Sequence, residues 1–120
     1  MATRYIVNDV EAAIDFYTGL LGFKLKQQAG SAFAIVEREN LVLMLTGPAA
    51  SAQRPMPDGS QPTPGGWNRI VVQVEDIAAT VAAMRSGGAT FRNDIISGPG
   101  GQQILLEDPS GNPVELFQRG

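Results

Sequence analysis

Apolar residues recur along this chain with two different spacings, and the switches between them outline its elements. Thr3 to Val7 is rich in β-branched and aromatic residues and predicts a short strand. Asn8 and Asp9 offer N-cap oxygens, and Glu11 follows Asn8 by three residues, as in a capping box. Val10, Ala13, Ile14, Tyr17 and Leu21 then fall at helical spacing and form one apolar face. Gly22 is placed to end that helix. Three strand-like stretches come next: Phe23 to Ala29, Ala32 to Arg38, and Leu41 to Leu45.

The pattern stops at Gly47. Between there and Gly66 the chain carries Pro48, Pro55, Pro57, Pro62 and Pro64 and little that can pack. Proline fixes φ and removes a donor, so an irregular, exposed segment is expected. It is longer than most connections in small domains, and it reads as a tether between two halves or as a mobile lid.

After Gly66 the same order of elements starts again. Trp67 to Val74 predicts a strand, Asp76 a helix cap, and Ile77, Val81 and Met84 an apolar stripe closed by Gly87 and Gly88. Ala89 to Ser97, Gln102 to Glu107 and Pro113 to Gln118 are the following strands, and Asp108 to Asn112 is a tight turn. Setting Asp9 against Asp76, 67 positions apart, puts Val7 on Val74, Val10 on Ile77 and Ile14 on Val81. The expected fold class is α+β: two β-α-β-β-β modules, each with a helix on one face of its sheet, whose open faces enclose a pocket. The 120 residues are expected to make one domain, with modules at 1–47 and 67–120 and a Pro-rich linker at 48–66.

Composition narrows the chemistry. The net charge of −3 disfavours nucleic acid and anionic membrane surfaces as partners. No apolar run approaches the ~18 residues that span a bilayer. The first ten residues lack a signal-peptide pattern, so a cytoplasmic location is expected. There are no cysteines and no histidines. Thiolate catalysis, disulfides and Ser-His or Cys-His pairs are thereby excluded, together with the commonest transition-metal ligand.

The segment Tyr5 to Phe23, with Phe16-Tyr17 followed by Leu21-Gly22-Phe23, resembles the first module of the glyoxalase, bleomycin-resistance and extradiol-dioxygenase (vicinal oxygen chelate) superfamily. The segment Leu106 to Phe117, with Asp108-Pro109, Gly111-Asn112 and Glu115-Leu116, resembles its last strand. The resemblance covers nearly everything except the linker. It implies paired β-α-β-β-β modules, frequent homodimers and a pocket that in metal-dependent members holds four ligands. Carried over position by position, those ligands fall on Ala2, near Leu43 (with Val42 and Met44 beside it), on Arg69 and on Glu115. One acid beside a permanently charged guanidinium is not a divalent-metal site, so no metal and no other cofactor is expected.

Strand alternation tests the same residues independently. Ile70, Val72 and Val74 belong against the second helix, which turns Arg69, Val71 and Gln73 the other way. Glu115 and Phe117 then oppose Val114 and Leu116, and Arg4 and Ile6 oppose Tyr5 and Val7. The candidate ligand-binding residues are therefore Arg4, Trp67, Arg69, Gln73, Glu115 and Phe117. Arg69 and Glu115 either form a mutual salt bridge or hold a ligand, and both hold if the ligand joins the pair. Trp67 either stacks on a flat ligand or plugs a strand end. Phe33, Phe91 and Phe117 either line the pocket or, as aromatic residues on strands more often do, pack in the core. Arg92, Asn93 and Asp94 read as a solvated strand end, and Gly98 to Gly101 as a hairpin loop, since no helix or Lys-Ser/Thr pair follows it.

Two functions fit these residues. The first is a metal-free small-molecule-binding protein that sequesters an antibiotic or metabolite. The second is a metal-independent isomerase, epimerase or lyase acting on an oxygenated small molecule, with Glu115 as base and Arg69 stabilising an enolate oxygen. A carboxylate base needs its proton affinity raised, and an adjacent guanidinium acts in the opposite direction, which ranks this reading second. Metal-dependent glyoxalase or dioxygenase activity ranks third.

Overall fold

The computed structural model describes residues 1–120 and divides into two units: Met1–Gly65 with Pro109–Asn112, and Gly66–Asp108 with Pro113–Gly120. Two helices and two mixed sheets of four and five strands make the protein α+β. No helix is long and apolar enough to cross a membrane.

The first unit runs β1 (Ala2–Ile6), α1 (Val10–Gly19), β2 (Lys24–Ala29), β3 (Phe33–Arg38) and β4 (Leu41–Thr46). Its sheet order is β1-β4-β3-β2, with β1 and β4 parallel and the other pairs antiparallel. The α1 stripe of Val10, Ala13, Ile14 and Tyr17 is buried together with Ala34, Val36, Leu43 and Leu45 of the sheet. Each fully buried aliphatic side chain of this kind contributes about 1.5–3 kcal/mol. Tyr17 adds edge-to-face contacts with Phe16 and Phe23, at ring separations of 5.0 and 5.5 Å.

The expected capping box does not form. Asp9 is the N-cap and accepts from the Ala12 N–H, while the Asn8 N–H donates to Ser110 Oγ and Glu11 accepts from Gln28. A competing partner for each member dissolves the box. The helix also ends at Gly19, ahead of Gly22, which at φ +72° turns the chain toward Phe23.

The proline-rich segment belongs to this unit. It contains a 3-10 turn at Ser51–Gln53, and Gln53 Nε2 donates to the carbonyls of Val7 and Thr46, both at 2.9 Å. The turn at Pro109–Asn112 is tied in by Asn112, which donates to Ile6 O at 2.7 Å and accepts from Gly65 N–H at 2.8 Å.

The second unit runs β5 (Ile70–Gln73), α2 (Ile77–Ser86), β6 (Thr90–Phe91), β7 (Ile96–Gly98), β8 (Gly101–Glu107) and β9 (Pro113–Arg119). The order is β5-β9-β8-β6, with β7 also on β8 and β5 parallel to β9. Asp76 caps α2 through the Ala79 N–H, and the Gly87 N–H closes it on Ala83 O. Ile77, Val81 and Met84 of α2 are buried, as are Ile70, Val72, Ile104, Leu106, Val114 and Leu116 of the sheet.

Two expected strands are shorter than the pattern suggested. The first runs only over Ile70–Gln73 and leaves Trp67, Asn68, Arg69 and Val74 outside. The stretch Ala89 to Ser97 breaks into β6 and β7, because the Asn93 side chain takes the Leu105 N–H at 2.9 Å that a continuing strand would have used.

Candidate functional site

Alternation on β9 places Glu115 on the face opposite the fully buried Val114 and Leu116. Across the parallel pair its partner is Val71, and Arg69 lies two residues before Val71 on the same side of the chain. The Arg69 side chain closes on Glu115 from there. Its Nε and Nη2 donate to Oε1 at 3.0 and 2.9 Å, and its Nη1 donates to the Trp67 carbonyl at 3.2 Å.

The Glu115 side chain keeps 10% of its surface, whereas the Arg69 side chain keeps 30%. The carboxylate is the desolvated partner, and the guanidinium compensates it. Both donors end on one oxygen, so Oε2 accepts no hydrogen bond within the protein.

A second ion pair lies on the same sheet face and was missed in the sequence. Arg92 follows β6 and keeps its ladder, its N–H donating to Leu105 O at 2.9 Å. Its Nε donates to Glu107 Oε2 at 2.8 Å and its Nη1 to the Gly66 carbonyl at 2.8 Å. The guanidinium carbon stands 4.8 Å from the centre of the Trp67 ring. The expected solvated strand end is therefore corrected for Arg92 and Asn93, which both carry structural bonds. Asp94 does sit in solvent, its side chain 100% exposed.

A signal for the second pair was present. Counting outward from the hairpin at Gly98–Gly101 in unbroken register sets Arg92 opposite Glu107. The break at Asn93 shifts β6 so that Thr90 takes that place, but the side chains still meet.

The other predicted residues divide between the units. Gln73 is exposed and Phe117 half-buried; the two are register partners on β5 and β9. Trp67 is 70% exposed, so it does not plug the strand end. Arg4 belongs to the first unit, where its Nη1 donates at 3.1 Å to the buried Thr46 hydroxyl. Phe91 lies under the Arg85 guanidinium, 5.1 Å from its carbon. Open clefts of about 370 Å³ beside Lys24 and Arg38 and about 460 Å³ beside Arg85 and Phe91 contain neither Arg69 nor Glu115.

The counterpart of Glu115 in the first unit also needs correction. Leu43 faces the core and is fully buried, whereas Met44 is the register partner of Arg4 just as Glu115 is of Val71. The turn Glu39-Asn40 is shorter than Asp108–Asn112, so matching the two asparagines slips the frame by one. A thioether suits a divalent cation of the hard or borderline kind no better than leucine does. No group of three or more Asp or Glu side chains is placed to hold a metal ion. At Glu115 itself, a guanidinium within 2.9 Å does not fit a second cation.

A family model described as the Glyoxalase/Bleomycin resistance protein/Dioxygenase superfamily matches residues 2–116. The uncharacterized protein YwbC of Bacillus subtilis (strain 168) is 30% identical over 120 residues, covering 98% of this chain and 94% of YwbC. A crystal structure of a member of the same superfamily from Sphaerobacter thermophilus DSM 20745 is 26% identical, with a TM-score of 0.77 over 98% of this chain and 94% of that one. TnmS3, an antibiotic binding protein from Streptomyces sp. CB03234, is 25% identical, with a TM-score of 0.71 over 100% of this chain and 96% of TnmS3.

Proposed function

This chain belongs to the glyoxalase/bleomycin resistance protein/dioxygenase superfamily, and from that premise we propose that it binds a small organic molecule at Arg69 and Glu115, without a divalent metal, and sequesters an antibiotic or metabolite. One observation carries the reading: Arg69 occupies Oε1 of Glu115 twice and leaves Oε2 without a partner on a nearly buried carboxylate. Oε2 is not a buried orphan atom, so an N–H or O–H of a ligand can reach it and make a charge-assisted bond there. Three of the five Arg69 N–H donors are used, and the remainder suit a carbonyl or anionic oxygen on the same ligand. Gln73 and Phe117 are assigned to the walls, and Trp67 to the rim. The similarity to an antibiotic binding protein is consistent with this class of ligand.

The test is a thermal-shift screen of antibiotics and oxygenated metabolites, with each hit titrated into Glu115→Gln and Arg69→Met. Both variants are expected to lose at least about tenfold in affinity, the size of one charged hydrogen bond. Unchanged affinity in both removes the ion pair from the site.

The enzymatic reading draws on the same free oxygen, since Oε2 is the atom that would take a proton while Arg69 held the carbonyl. Conversion of a bound hit to product, lost in Glu115→Gln, would move the assignment there. We further propose a homodimer, as the superfamily resemblance implies; light scattering at the monomer mass of 12.7 kDa would overturn that state.

A further inference from the structure

Trp67 is the only tryptophan in the chain, and it stands 70% exposed. An exposed indole ordinarily samples several rotamers. This one has the Arg92 guanidinium across one ring face at 4.8 Å. That guanidinium is itself fixed by Glu107 Oε2, by the Gly66 carbonyl and, through its backbone, by Leu105 O.

The main chain beneath the indole is held as well. The carbonyls of Gly66 and Trp67 are gripped in turn by Arg92 and Arg69, and each arginine is paired with its own glutamate. Gly66 makes the arrangement possible with φ +90°, a conformation that side-chain-bearing residues rarely adopt. Two ion pairs thus fix the main chain at Gly66 and Trp67, and one of those pairs contains Glu115.

We infer that Arg92 and Glu107 are positioning residues that hold Trp67 as a stacking plate, and that the ligand is a planar aromatic molecule carrying an O–H or N–H donor for Glu115 Oε2. The inference rests on the binding reading above and deepens it. One ring face is taken by the guanidinium, and the degree of exposure leaves the other to a ligand. A ring ordered before binding loses less entropy when a second ring stacks on it.

The test uses 2-naphthol against decahydro-2-naphthol, which keeps the hydroxyl and loses the aromatic plane. The single indole N–H signal of Trp67 in ¹⁵N–¹H spectra reports both binding and ring order. Wild type is expected to show saturable shifts of that signal with 2-naphthol and none with the saturated alcohol. Arg92→Met and Glu107→Gln are expected to make the ring more accessible to acrylamide quenching and to weaken 2-naphthol about fivefold, the size of one exposed cation–π contact. Arg92→Lys, which keeps the charge without the flat guanidinium, is expected to resemble Arg92→Met.

Unchanged quenching and affinity in both Arg92→Met and Glu107→Gln would overturn the positioning role. Equal binding of the two alcohols would overturn the planar ligand class. If 2-naphthol binds and stacks with full affinity in Glu115→Gln, the plate stands and the assignment of Oε2 falls. That result separates this inference from the reading beneath it.

Discussion

Met44 and Glu115 occupy the same station in the two units: each lies on the last strand of its sheet, opposite the residue two positions beyond Ala2 or Arg69 on the parallel opening strand. A thioether stands at one station and a carboxylate at the other. The second unit alone carries an acid there, and the same unit supplies the guanidinium that meets it. Charge chemistry at these stations is therefore concentrated in the second unit.

That pairing predicts asymmetric costs. Arg69→Met leaves a nearly buried carboxylate without its cation and is expected to lower stability by about 1–3 kcal/mol. Adding Glu115→Leu removes the orphaned charge, so the double variant is expected to be more stable than Arg69→Met alone. Urea unfolding of the two single variants and the double variant measures this coupling.

Asp9 and Asp76 cap the two helices in the same way, each accepting the N–H three residues on at 3.1 Å. Replacing either by alanine is expected to cost about 1 kcal/mol. Equilibrium unfolding is the check, and a cost near zero in one of them would show that tertiary contacts alone fix that helix start.

The Gly98–Gly101 loop closes a hairpin, and Gly101 sits at φ +145° against the last strand. A Cβ there would run into the Gln118 carbonyl. Gly101→Ala is expected to destabilise by about 3 kcal/mol or more, whereas Gly100→Ala, with open space around it, is expected to be nearly neutral. Thermal melts of the pair distinguish the backbone requirement from general loop sensitivity.

Asp58 accepts both the hydroxyl and the backbone N–H of Ser60, and these bonds hold its carboxyl below the ordinary carboxylate value. The folded-state pKa then lies below the unfolded one. The associated stability is present above the unfolded value and is lost as pH falls through the folded value. Ser60→Ala is expected to move the Asp58 titration upward in NMR, and an unmoved midpoint would contradict the cause.

Much of this was legible in the residues. Helical spacing from Val10 to Tyr17 and from Ile77 to Met84, and alternation from Val114 to Phe117, specified the buried faces, because burial on one side leaves a periodic trace. The same alternation set Glu115 apart from its neighbours. What escaped depended on partners distant in sequence. Asp9, not Asn8, accepts the Ala12 N–H as the cap, and the Asn8 N–H that Glu11 was expected to take goes to Ser110 instead. Asn93 broke a strand by replacing a backbone acceptor with a side chain. Arg92 looked like a solvated end because its partners, Glu107, Gly66 and Trp67, converge only once that break has formed.

The Arg69 guanidinium stands as the cation beside Glu115, 2.9 Å from its Oε1, where a divalent ion would otherwise have to sit. Calorimetric titration of Mn²⁺, Ni²⁺ and Zn²⁺ into protein purified without chelator tests it most directly. The predicted result is no saturable site with near-unit stoichiometry in either the wild type or Glu115→Ala. One tightly bound divalent ion per chain, lost in Glu115→Ala, would contradict it.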